Sequence, residues 1–368
     1  MEAILLLHSN MLRHAYMEIK LNLRWQMAKH DIDPILFTLL EGIVLNGSLQ
    51  KATQHANVSY RFAWGLLNKW QDRLQKPLVI LERGRGARLS AAGQALINAN
   101  QKLTARFSPE LDNVSTQFKQ ELETILSTHS EERTTIYASH GLAVSTLRDL
   151  MHQQSDLRLD LHFHGSLDCI QALDSQQCNL AGFHIPEAPF SQEISSHYLS
   201  TLSPDSHQLI YIVKRNQGLM VSKDNDKQIS GIASLCQQNI QFINRQANSG
   251  TRLLFDHLLK KHAISASQIT GYDNEEFTHM AVAAMIASGA ADVGFGIAPM
   301  AEKFNLEFIP LVWEHYCLAV PQASSHSPAV QQIITILKSD AYKQQLAGLS
   351  GYDVTQSGEV VPFNKIFA

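Results

Sequence analysis

Strand patterns alternate with helix patterns through residues 134–349, and this alternation constrains the fold more than any other feature. A strand pattern at 134–141 is followed by a helix pattern at 142–154 and a second strand pattern at 157–166. The same order starts again at residue 239. Alternating strands and helices predict a mostly parallel sheet covered by helices. Because the order occurs twice, we expect two similar α/β halves rather than a short-period repeat.

The remaining strand and helix patterns of this body complete the two halves. The predicted strands are 178–186, 207–216, 239–250, 268–273, 291–297 and 308–321, and the predicted helices are 167–175, 251–261, 276–289 and 328–349. Two α/β lobes joined by crossing strands form a clamshell with a cleft between them, and loops at the carboxyl ends of parallel strands face that cleft.

The amino-terminal part differs from the body in pattern and in charge. Short helix patterns and a β-hairpin pattern follow one another at 35–47, 49–56, 60–75 and 77–90. Residues 17–107 contain 13 Lys and Arg against 6 Asp and Glu, whereas residues 108–368 contain 16 against 27. A basic head on an acidic body predicts that only the head meets a polyanion. A chance imbalance of surface charge is the alternative.

Composition excludes several classes of protein. The chain has 368 residues, which predicts two or three domains of roughly 100–200 residues each. Hydrophobic residues make up 45% and charged residues 17%, as in folded proteins. No apolar run approaches the ~20 residues that span a bilayer. Four cysteines without CxxC pairing argue against a zinc site or a disulfide scaffold and fit a reducing cytoplasm.

The amino terminus carries little information. Residues 1–16 have a short apolar patch but no basic start and no small-residue cleavage site, so a signal peptide is not expected. Met17 is a candidate natural start. The alternation of Ile19, Leu21, Leu23 and Trp25 predicts a half-buried strand over 18–26.

Two short helices around a tight turn are typical of DNA-reading domains, in which the second helix lies in the major groove. The second helix pattern begins at Ser59, and three arginines lie on the glycine-rich hairpin tip, where they can contact phosphates or enter a minor groove. The candidate DNA contacts are Ser48, Ser59, Tyr60, Arg61, Trp64, Arg83, Arg85 and Arg88. The alternative is a three-helix module that docks proteins and carries a solvated basic loop.

Residues 18–107 resemble the N-terminal domain of ModE-type molybdate-responsive repressors, which are close to LysR-type regulators. The matching runs are LLEGIVLNGSLQKATQHANVSYRFAWGLLNKWQDRL and LERGRGARLSAAGQALI. The resemblance implies that Ser48 begins the first motif helix, that Ser59–Trp64 begin the recognition helix and that Arg83–Arg88 form a wing. It also implies dimerisation through the helix at about 90–125.

The helix at 90–125 carries a rough apolar stripe that would suit dimerisation. The stripe residues are Leu96, Ile97, Leu103, Phe107 and Leu111. Packing of the same residues on their own domain is the alternative.

Three strand–helix junctions of the body carry small or hydroxyl residues. Helix starts at such junctions aim backbone N–H groups at a bound anion, and arginines can add charge-assisted bonds. The candidate ligand contacts are Ser139, His140, Gly165, Ser166, Arg245, Ser249, Gly250, Thr251, Arg252 and His279. For His279, ligand contact and ordinary helix capping are both open.

Residues 135–350 resemble the type 2 periplasmic-binding-protein-like domain found in bacterial regulators and in some proteins of molybdenum-cofactor metabolism. The matching runs are HGSLDCIQALDSQQCNLAGFHIP, INRQANSGTRLLFDHLL, GYDNEEFTHMAVAAMIASGAADVGFGI and FNLEFIPLVWEHYCLAVP. The resemblance implies a cleft that uses Ser139, Ser166, Ser249, Thr251 and Arg252, with His279 nearby. ModE-type proteins instead sense molybdate with small β-barrel domains, so molybdate here is implied by the family of the head and not by a matching site.

These observations predict a multidomain protein, an α-rich winged helix-turn-helix domain plus a two-lobed α/β periplasmic-binding-protein-like domain. The predicted boundaries are 17–89 for the winged helix-turn-helix domain, 90–132 for a linker and dimerisation helix, and 133–368 for the ligand-sensing domain. We expect a cytoplasmic regulator that binds double-stranded DNA, forms a homodimer or higher homo-oligomer, and has no membrane partner.

The expected effector is a small anion such as molybdate or tungstate; an organic acid or a molybdenum-cofactor-related compound is the alternative. We expect no enzymatic activity, because no convergent acid, base or nucleophile set stands at a junction; an enzyme of the same fold and a protein-docking scaffold are the other hypotheses. We expect no cofactor and no metal. A metal site of His140, His162, His164 and His184 is the alternative to hydrogen-bonding histidines.

Overall fold

Three short helices and a β-hairpin form the amino-terminal head. The computed structural model describes residues 19–27, 29–82, 86–126, 133–155, 157–187 and 191–367. The head elements are α1 (Pro34–Asn46), α2 (Leu49–His55), α3 (Tyr60–Leu74), β3 (Val79–Glu82) and β4 (Gly86–Leu89). Leu36, Leu39, Leu40 and Trp70 are buried at the centre of the head.

Local sequence signals set the ends of the head helices. Asp33 precedes Pro34 and accepts a hydrogen bond from the backbone N–H of Ile35 at 2.9 Å, as N-cap residues do. The first helix ends at Gly47, which has a positive φ of 61°. Gly47 also accepts a bond from the backbone N–H of Ala87 at 2.8 Å, so the hairpin is joined to the end of α1.

The strand expected over 18–26 is wrong. Only β1 (Gln26–Met27) pairs, with β2 (His30–Asp31), and Leu21 and Leu23 are exposed. Trp25 is half-buried, and its indole N–H donates to Asn100 at 2.9 Å. Alternating side chains describe a strand only where a neighbouring strand supplies hydrogen bonds, and none of the described residues does so for 19–24; the Trp25 carbonyl accepts the backbone N–H of Ile32 at 2.8 Å, next to the short β1–β2 pair.

A single helix, α4 (Ala91–Leu126), leaves the head and runs along the body; we call it the linker helix. Its first turns pack on the head, where Ile97 is buried and Leu96 is half-buried. The apolar stripe that the sequence suggested is therefore split, because part of it belongs to the core of the head. Pro109 lies inside this helix.

Strands and helices alternate in the body, and one sheet runs through both of its halves. The first half, lobe 1, contains β5 (Arg133–Ala138), α5 (Leu142–Gln154), β6 (Arg158–Phe163), α6 (Ser166–Asp174), β7 (Leu180–Pro186) and α7 (Ser191–Leu199). The second half, lobe 2, contains β9 (Phe242–Arg245), α8 (Gly250–Lys261), β10 (Glu275–Glu276), α9 (His279–Ala287), β11 (Val293–Ile297) and α10 (Ala298–Lys303).

Two 15-residue antiparallel strands, β8 (His207–Val221) and β12 (Glu307–Pro321), connect the lobes. The strand order is β10-β9-β11-β8-β12-β7-β5-β6, which leaves β6 at one edge. The register of β12 against β8 shifts between Pro310 and Val312 and between Tyr316 and Cys317. The helices α11 (Pro328–Lys338) and α12 (Asp340–Ala347) then cover lobe 1, and β13 (Tyr352–Asp353), β14 (Val360–Val361) and α13 (Phe363–Ile366) complete the chain.

Two sequence expectations for the body are corrected by the structure. Residues 268–273 form a 3-10 turn and bends rather than a strand, and the edge strand is the two-residue β10. The helix expected over 328–349 is interrupted at Ser339, whose side chain caps α12 by accepting from the backbone N–H of Tyr342 at 3.2 Å. A serine that can cap a new helix start competes with helix continuation.

Candidate functional site: a buried cationic cleft and an exposed basic head

The cleft lies where strands of both lobes end and helices begin. The helices α5 and α6 begin after Gly141 and Gly165, and neither glycine offers a side-chain cap. The free backbone N–H groups of these first turns are donors for an anion. The helix α8 begins differently, because the hydroxyl of Ser249 accepts the backbone N–H of Arg252 at 3.1 Å.

The lobes touch at two glycines of the cleft. A Cβ added at Gly165 would lie 2.5 Å from the carbonyl oxygen of Asn248 in the other lobe. A Cβ at Gly250 would lie 3.1 Å from the hydroxyl of Ser166. A side chain at Gly165 would collide with that backbone oxygen, and a side chain at Gly250 would crowd the Ser166 hydroxyl. The structure therefore brings the predicted residues Gly165, Ser166 and Gly250 together from opposite lobes.

A chain of hydroxyl and imidazole groups lines the lobe 1 side. The Ser139 and Ser166 hydroxyl oxygens lie 3.3 Å apart, and the Ser166 hydroxyl lies 3.3 Å from Nδ1 of His184. His184 stacks on Tyr316, whose hydroxyl donates to the backbone carbonyl of Ser139 at 3.2 Å. These contacts fix neutral groups that both donate and accept hydrogen bonds.

A buried ion pair stands on the crossing strands beside the cleft. Arg215 of β8 donates through Nε to Oε1 of Glu314 of β12 at 2.5 Å, and both side chains are almost fully buried. A Cβ at Gly141 would lie 3.6 Å from a terminal nitrogen of Arg215, so the guanidinium reaches the start of α5. Glu314 compensates the charge of Arg215.

Arg245 is a buried cation of a different kind. Its guanidinium donates to the side-chain oxygen of Gln246 and to the carbonyl of Phe277, both at 3.0 Å. None of the ion pairs formed among the described residues includes it. Burial, reinforced by the nearby Arg215 cation, lowers the pKa of Arg245 to about 9, and the Glu314 carboxylate, which is paired with Arg215, opposes part of that fall. A buried cation without a paired carboxylate is costly, and an anionic ligand would relieve that cost.

Three histidines of the cleft are held neutral. Burial and the Arg245 cation lower the pKa of His140 to about 4. Burial and the two arginine cations also hold the pKa of His184 and of His279 well below their usual range. Nε2 of His184 is buried and has no hydrogen-bond partner among the described residues. The cleft at neutral pH therefore combines fixed arginine charge with neutral imidazoles.

Thr251 and His279 lie on the lobe 2 side. The Thr251 hydroxyl lies 3.4 Å from Nε2 of His279 and accepts from the side-chain amide of Gln217 at 3.3 Å. Thr278 caps α9, since its hydroxyl accepts the backbone N–H of Ala281 at 2.9 Å. The capping role that was open for His279 thus belongs to its neighbour, and the part of His279 in ligand binding stays a prediction.

The guanidinium of Arg252 donates hydrogen bonds to other groups of the protein. Its guanidinium pairs with Asp256 at 3.1 Å and with Glu275 at 2.9 Å, and it donates to the backbone carbonyl of Arg245 at 3.0 Å. The predicted arginine pair is therefore unequal: Arg245 lacks a described acidic partner, whereas Arg252 has two. Direct contact of Arg252 with a ligand stays a prediction.

Sequence reasoning missed the cleft residues of the crossing strands: Arg215, Gln217, Glu314 and Tyr316. It named His184 of β7 only for the alternative metal site. The signal that could have found the crossing-strand residues is the run Lys214–Gln217, four polar residues inside an otherwise apolar strand, opposite Glu314 in an equally apolar strand. A polar run in a strand that is buried on both faces needs partners.

Six of the eight predicted DNA contacts lie within the described residues of the head. Ser48 and Ser59 cap α2 and α3, accepting backbone N–H groups of Lys51 at 3.4 Å and Phe62 at 3.2 Å. Arg61 is exposed on the first turn of α3, where Tyr60 is 51% exposed. Trp64 and Arg88 are exposed as well, and Arg83 and Arg85 lie outside the described residues.

The alternative metal site finds no support in the geometry. His162 and His164 both lie against Tyr137, with ring centroids 5.1 and 4.5 Å away, while His140 packs on Phe163 at 4.7 Å. Within the described ranges, no three His, Cys, Asp or Glu side chains are grouped so that they could hold a metal ion. Over the same ranges, no helix has the length and apolar character needed to cross a membrane.

Comparisons with known proteins identify the body. Residues 147–338 match the family model described as a PBP superfamily domain. Bacillus subtilis strain 168 has an uncharacterized protein, YvgK, that is 31% identical over 209 residues, which cover 57% of this chain and 66% of the relative, just under two thirds of its length. An uncharacterized Clostridium pasteurianum protein from the 5′ region of a ferredoxin 2Fe-2S gene is 34% identical over 110 residues, 30% of this chain and 97% of the relative.

Among solved structures, a hydrogen-peroxide-bound C206S mutant of Corynebacterium glutamicum OxyR aligns with 85% of this chain and 93% of its own. The TM-score of that alignment is 0.44 and the sequence identity is 11%.

Proposed function

The chain belongs to the PBP superfamily, and we propose that it is a ligand-responsive transcription regulator. In this proposal the two-lobed body binds a small anion, and the head binds double-stranded DNA as a winged helix-turn-helix domain. The observation that carries the proposal is Arg245, a buried cleft cation without a described acidic partner. An anion between the lobes supplies the missing charge, and its binding energy stabilises the arrangement in which the lobes touch.

The other donors of the cleft favour a compact oxyanion, with molybdate or tungstate as the leading candidates. The hydroxyls of Ser139 and Ser166 and the uncapped starts of α5 and α6 are neutral donors. The contact between Gly165 and Asn248 holds the lobes close, which leaves a small ligand as the best fit. A larger organic acid needs an apolar wall and a free bidentate arginine.

Calorimetric titration tests the ligand class. Wild-type protein is titrated with molybdate, tungstate, sulfate and a panel of small carboxylates. We expect saturable heat with the first two, and about 3–10-fold weaker binding in Ser139→Ala or Ser166→Ala, since each loses one neutral hydrogen bond. Ser288→Ala removes an exposed hydroxyl at the end of α9 and serves as the control. No heat and no thermal stabilisation with any anion would refute the anion site, and heat with carboxylates alone would assign it to organic acids.

We propose binding rather than catalysis at this site. Ser166 and His184 lie 3.3 Å apart, as a nucleophile and a base would. The other ring nitrogen of His184 has no described partner, whereas a catalytic histidine is oriented by a third group. Turnover of an ester or phosphoester that is lost in Ser166→Ala would overturn this part of the proposal.

The exposed start of α3 and the basic charge of residues 17–107 support DNA binding by the head. Ser48 and Ser59 cap the starts of α2 and α3. Near the start of α3, three side chains are exposed to solvent: Tyr60, Arg61 and Trp64. The hairpin that carries Arg88 is hydrogen-bonded to the end of α1. Gel shifts with genomic DNA fragments test it, and a head that docks proteins would leave every fragment unshifted.

A second copy of the chain is the proposed partner of the linker helix. Val114, Phe118, Leu122 and Ile125 lie on one helical face and are exposed, Ile125 to 78%. A dimer would cover this face and pair the heads for two half-sites of DNA. Sedimentation at micromolar concentration tests it: we expect a dimer that Phe118→Glu weakens, and a wild-type monomer with and without DNA would refute it.

A further inference from the structure

We propose that the linker helix α4 is attached to both lobes at once, at two anchors on either side of Pro109, and that movement of the lobes bends it there. This inference rests on the proposed function, because it concerns how the cleft controls the head. The lobe 2 anchor is the contact of Ala105 with Thr278, and the lobe 1 anchor is the contact of Asn113 with Phe163.

The lobe 2 anchor exists because of the proline. In a helix the carbonyl of residue 105 accepts the N–H of residue 109, and proline has no N–H. The Ala105 carbonyl therefore loses its helical partner. The Thr278 hydroxyl donates to this carbonyl at 3.1 Å in a buried contact. Pro109 thus leaves the Ala105 carbonyl free to accept the hydrogen bond from Thr278 of lobe 2.

Charges support the same anchor. Glu276, two residues before Thr278, is buried, and burial raises the pKa of its carboxyl while the cations of Arg106 and Lys102 on the linker helix oppose that rise. The two elements are therefore matched in charge as well as in hydrogen bonding. The helix α9, which begins immediately after Thr278, packs along the linker helix.

The lobe 1 anchor uses the open edge of the sheet. Asn113 donates through its amide to the Phe163 carbonyl at 3.0 Å and accepts the Phe163 backbone N–H at 2.7 Å. It thereby pairs both backbone groups of one residue of β6, the edge strand. Two turns further on, Gln120 donates to the Asp160 carboxylate at 2.8 Å. The Thr116 hydroxyl, one turn after Asn113, donates to the Asp112 carbonyl of its own helix at 3.0 Å and lies 3.4 Å from the Leu161 carbonyl.

Each anchor adjoins the cleft. Thr278 is the chain neighbour of His279, which contacts Thr251. Phe163 packs on His140 and stands two residues before Gly165, where the lobes meet. Each lobe is therefore attached to the linker helix by a residue that lies within three positions of a cleft residue.

A straight helix cannot follow two moving lobes. Ala105 and Asn113 are eight residues apart, about 12 Å along a helix at 1.5 Å per residue. Rotation of the lobes about β8 and β12 changes the separation of Thr278 and Phe163. Pro109 lies midway, and helices bend at proline. Because the head continues from the amino-terminal end of α4, a bend at Pro109 changes its position relative to lobe 1.

Distances between spin labels in the full chain test the anchors without any ligand. One label replaces exposed Lys51 in the head, and the second replaces exposed Gln344 in lobe 1 or exposed Gln238 in lobe 2, with Cys236→Ser to prevent stray labelling. We expect Asn113→Ala and Thr278→Val each to broaden the head-to-lobe distances. Thr278→Ser keeps the hydroxyl and should retain the wild-type distribution, as should Gln117→Ala, which removes only an exposed contact with Glu121.

Molybdate then tests the hinge. We expect saturating molybdate to shift the head-to-lobe 1 distance in the wild type. Pro109→Ala returns an N–H to the Ala105 carbonyl, so we expect this variant to lose most of that shift. Its dissociation constant for molybdate should change only a few-fold. Wild-type distance distributions in both Asn113→Ala and Thr278→Val would overturn the anchors, and an undiminished shift in Pro109→Ala would overturn the hinge. If calorimetry finds no molybdate binding, the anion proposal fails, whereas the ligand-free distances still decide the anchors.

Discussion

Positive charge is concentrated in two regions of this protein, and they hold it in opposite ways. In the head, Arg61 and Arg88 are exposed on a part of the chain with an excess of basic residues. In the cleft, Arg215 and Arg245 are buried inside a body with an excess of acidic residues. Charge counts along the sequence therefore indicate the exposed cations but not the buried ones. Burial nevertheless makes the buried cations stronger sites for one small anion.

Exposure also determines what each region can select. Exposed cations attract any polyanion, and salt screens them. Buried cations held in fixed positions accept only an anion whose size and acceptors match the donors around them. The head should therefore respond to ionic strength and the cleft to ligand identity, and three substitutions and one pH series test that contrast.

The largest expected effect is on anion affinity when Arg245 becomes Met. The variant removes the cleft cation that lacks a described acidic partner, so we expect molybdate binding to weaken by about 100-fold or more, some 3 kcal/mol. Because a buried cation is also removed, the free energy of unfolding should not fall. Calorimetry and thermal melts measure the two quantities on the same preparation.

Arg252→Met is the matched comparison. It breaks the contacts with Asp256, Glu275 and the Arg245 carbonyl, so we expect lower stability with a much smaller loss of anion affinity. Equal losses of affinity in the two variants would show that Arg252 contacts the ligand, as the sequence suggested.

The second prediction concerns pH. His140 has a pKa of about 4 in the folded protein, below its ordinary 6.5. As pH falls, its imidazole is therefore protonated in the unfolded chain before it is protonated in the folded protein. The free energy of unfolding should therefore fall as pH falls from about 6.5 to 4, by roughly 3 kcal/mol for this residue. His184 and His279 are lowered in pKa as well and add to the fall.

Urea denaturation at a series of pH values measures this loss. His140→Gln should flatten the pH dependence, whereas His326→Gln, at an exposed position, should leave it unchanged. An unfolding free energy that is constant between pH 6.5 and 4.5 would contradict the neutral state of His140, His184 and His279.

Local signals explain why some features could be predicted from the sequence. Asp33, Pro34 and Gly47 mark a helix that the structure has, and Gly165 and Ser249 mark junctions that the structure places at the cleft. These residues act on their own backbone, so their pattern is visible within a few positions.

Features that depend on distant partners could not be predicted. The alternation at 19–25 needed a pairing strand, and because the described residues supply none for 19–24 it does not form a strand. Arg215 and Glu314 are 99 residues apart, and only the register of β8 against β12 brings them together. The contact of the Ala105 carbonyl with lobe 2 likewise depends on Thr278, far along the chain.

The third prediction returns to the head. Arg61→Ala should weaken binding to a selected DNA site by roughly 1–3 kcal/mol if the guanidinium contacts a base, with little change on random duplex. Lys76→Ala makes the same charge change beyond the other end of α3 and is the control. Fluorescence anisotropy on both duplexes measures the effect, and equal losses on the two would assign Arg61 to phosphate contact.

The smallest expected effect is at Arg88 of the hairpin. Its side chain is exposed on β4, next to the wing tip, so we expect a contact with phosphate. Arg88→Ala should weaken every duplex only a few-fold and reduce the slope of log affinity against log salt by about 1. Lys338→Ala makes the same charge change on the body and should alter neither quantity. An unchanged salt slope in Arg88→Ala would remove the hairpin from the DNA surface, and a reduced slope in Lys338→Ala would show that the acidic body also meets DNA.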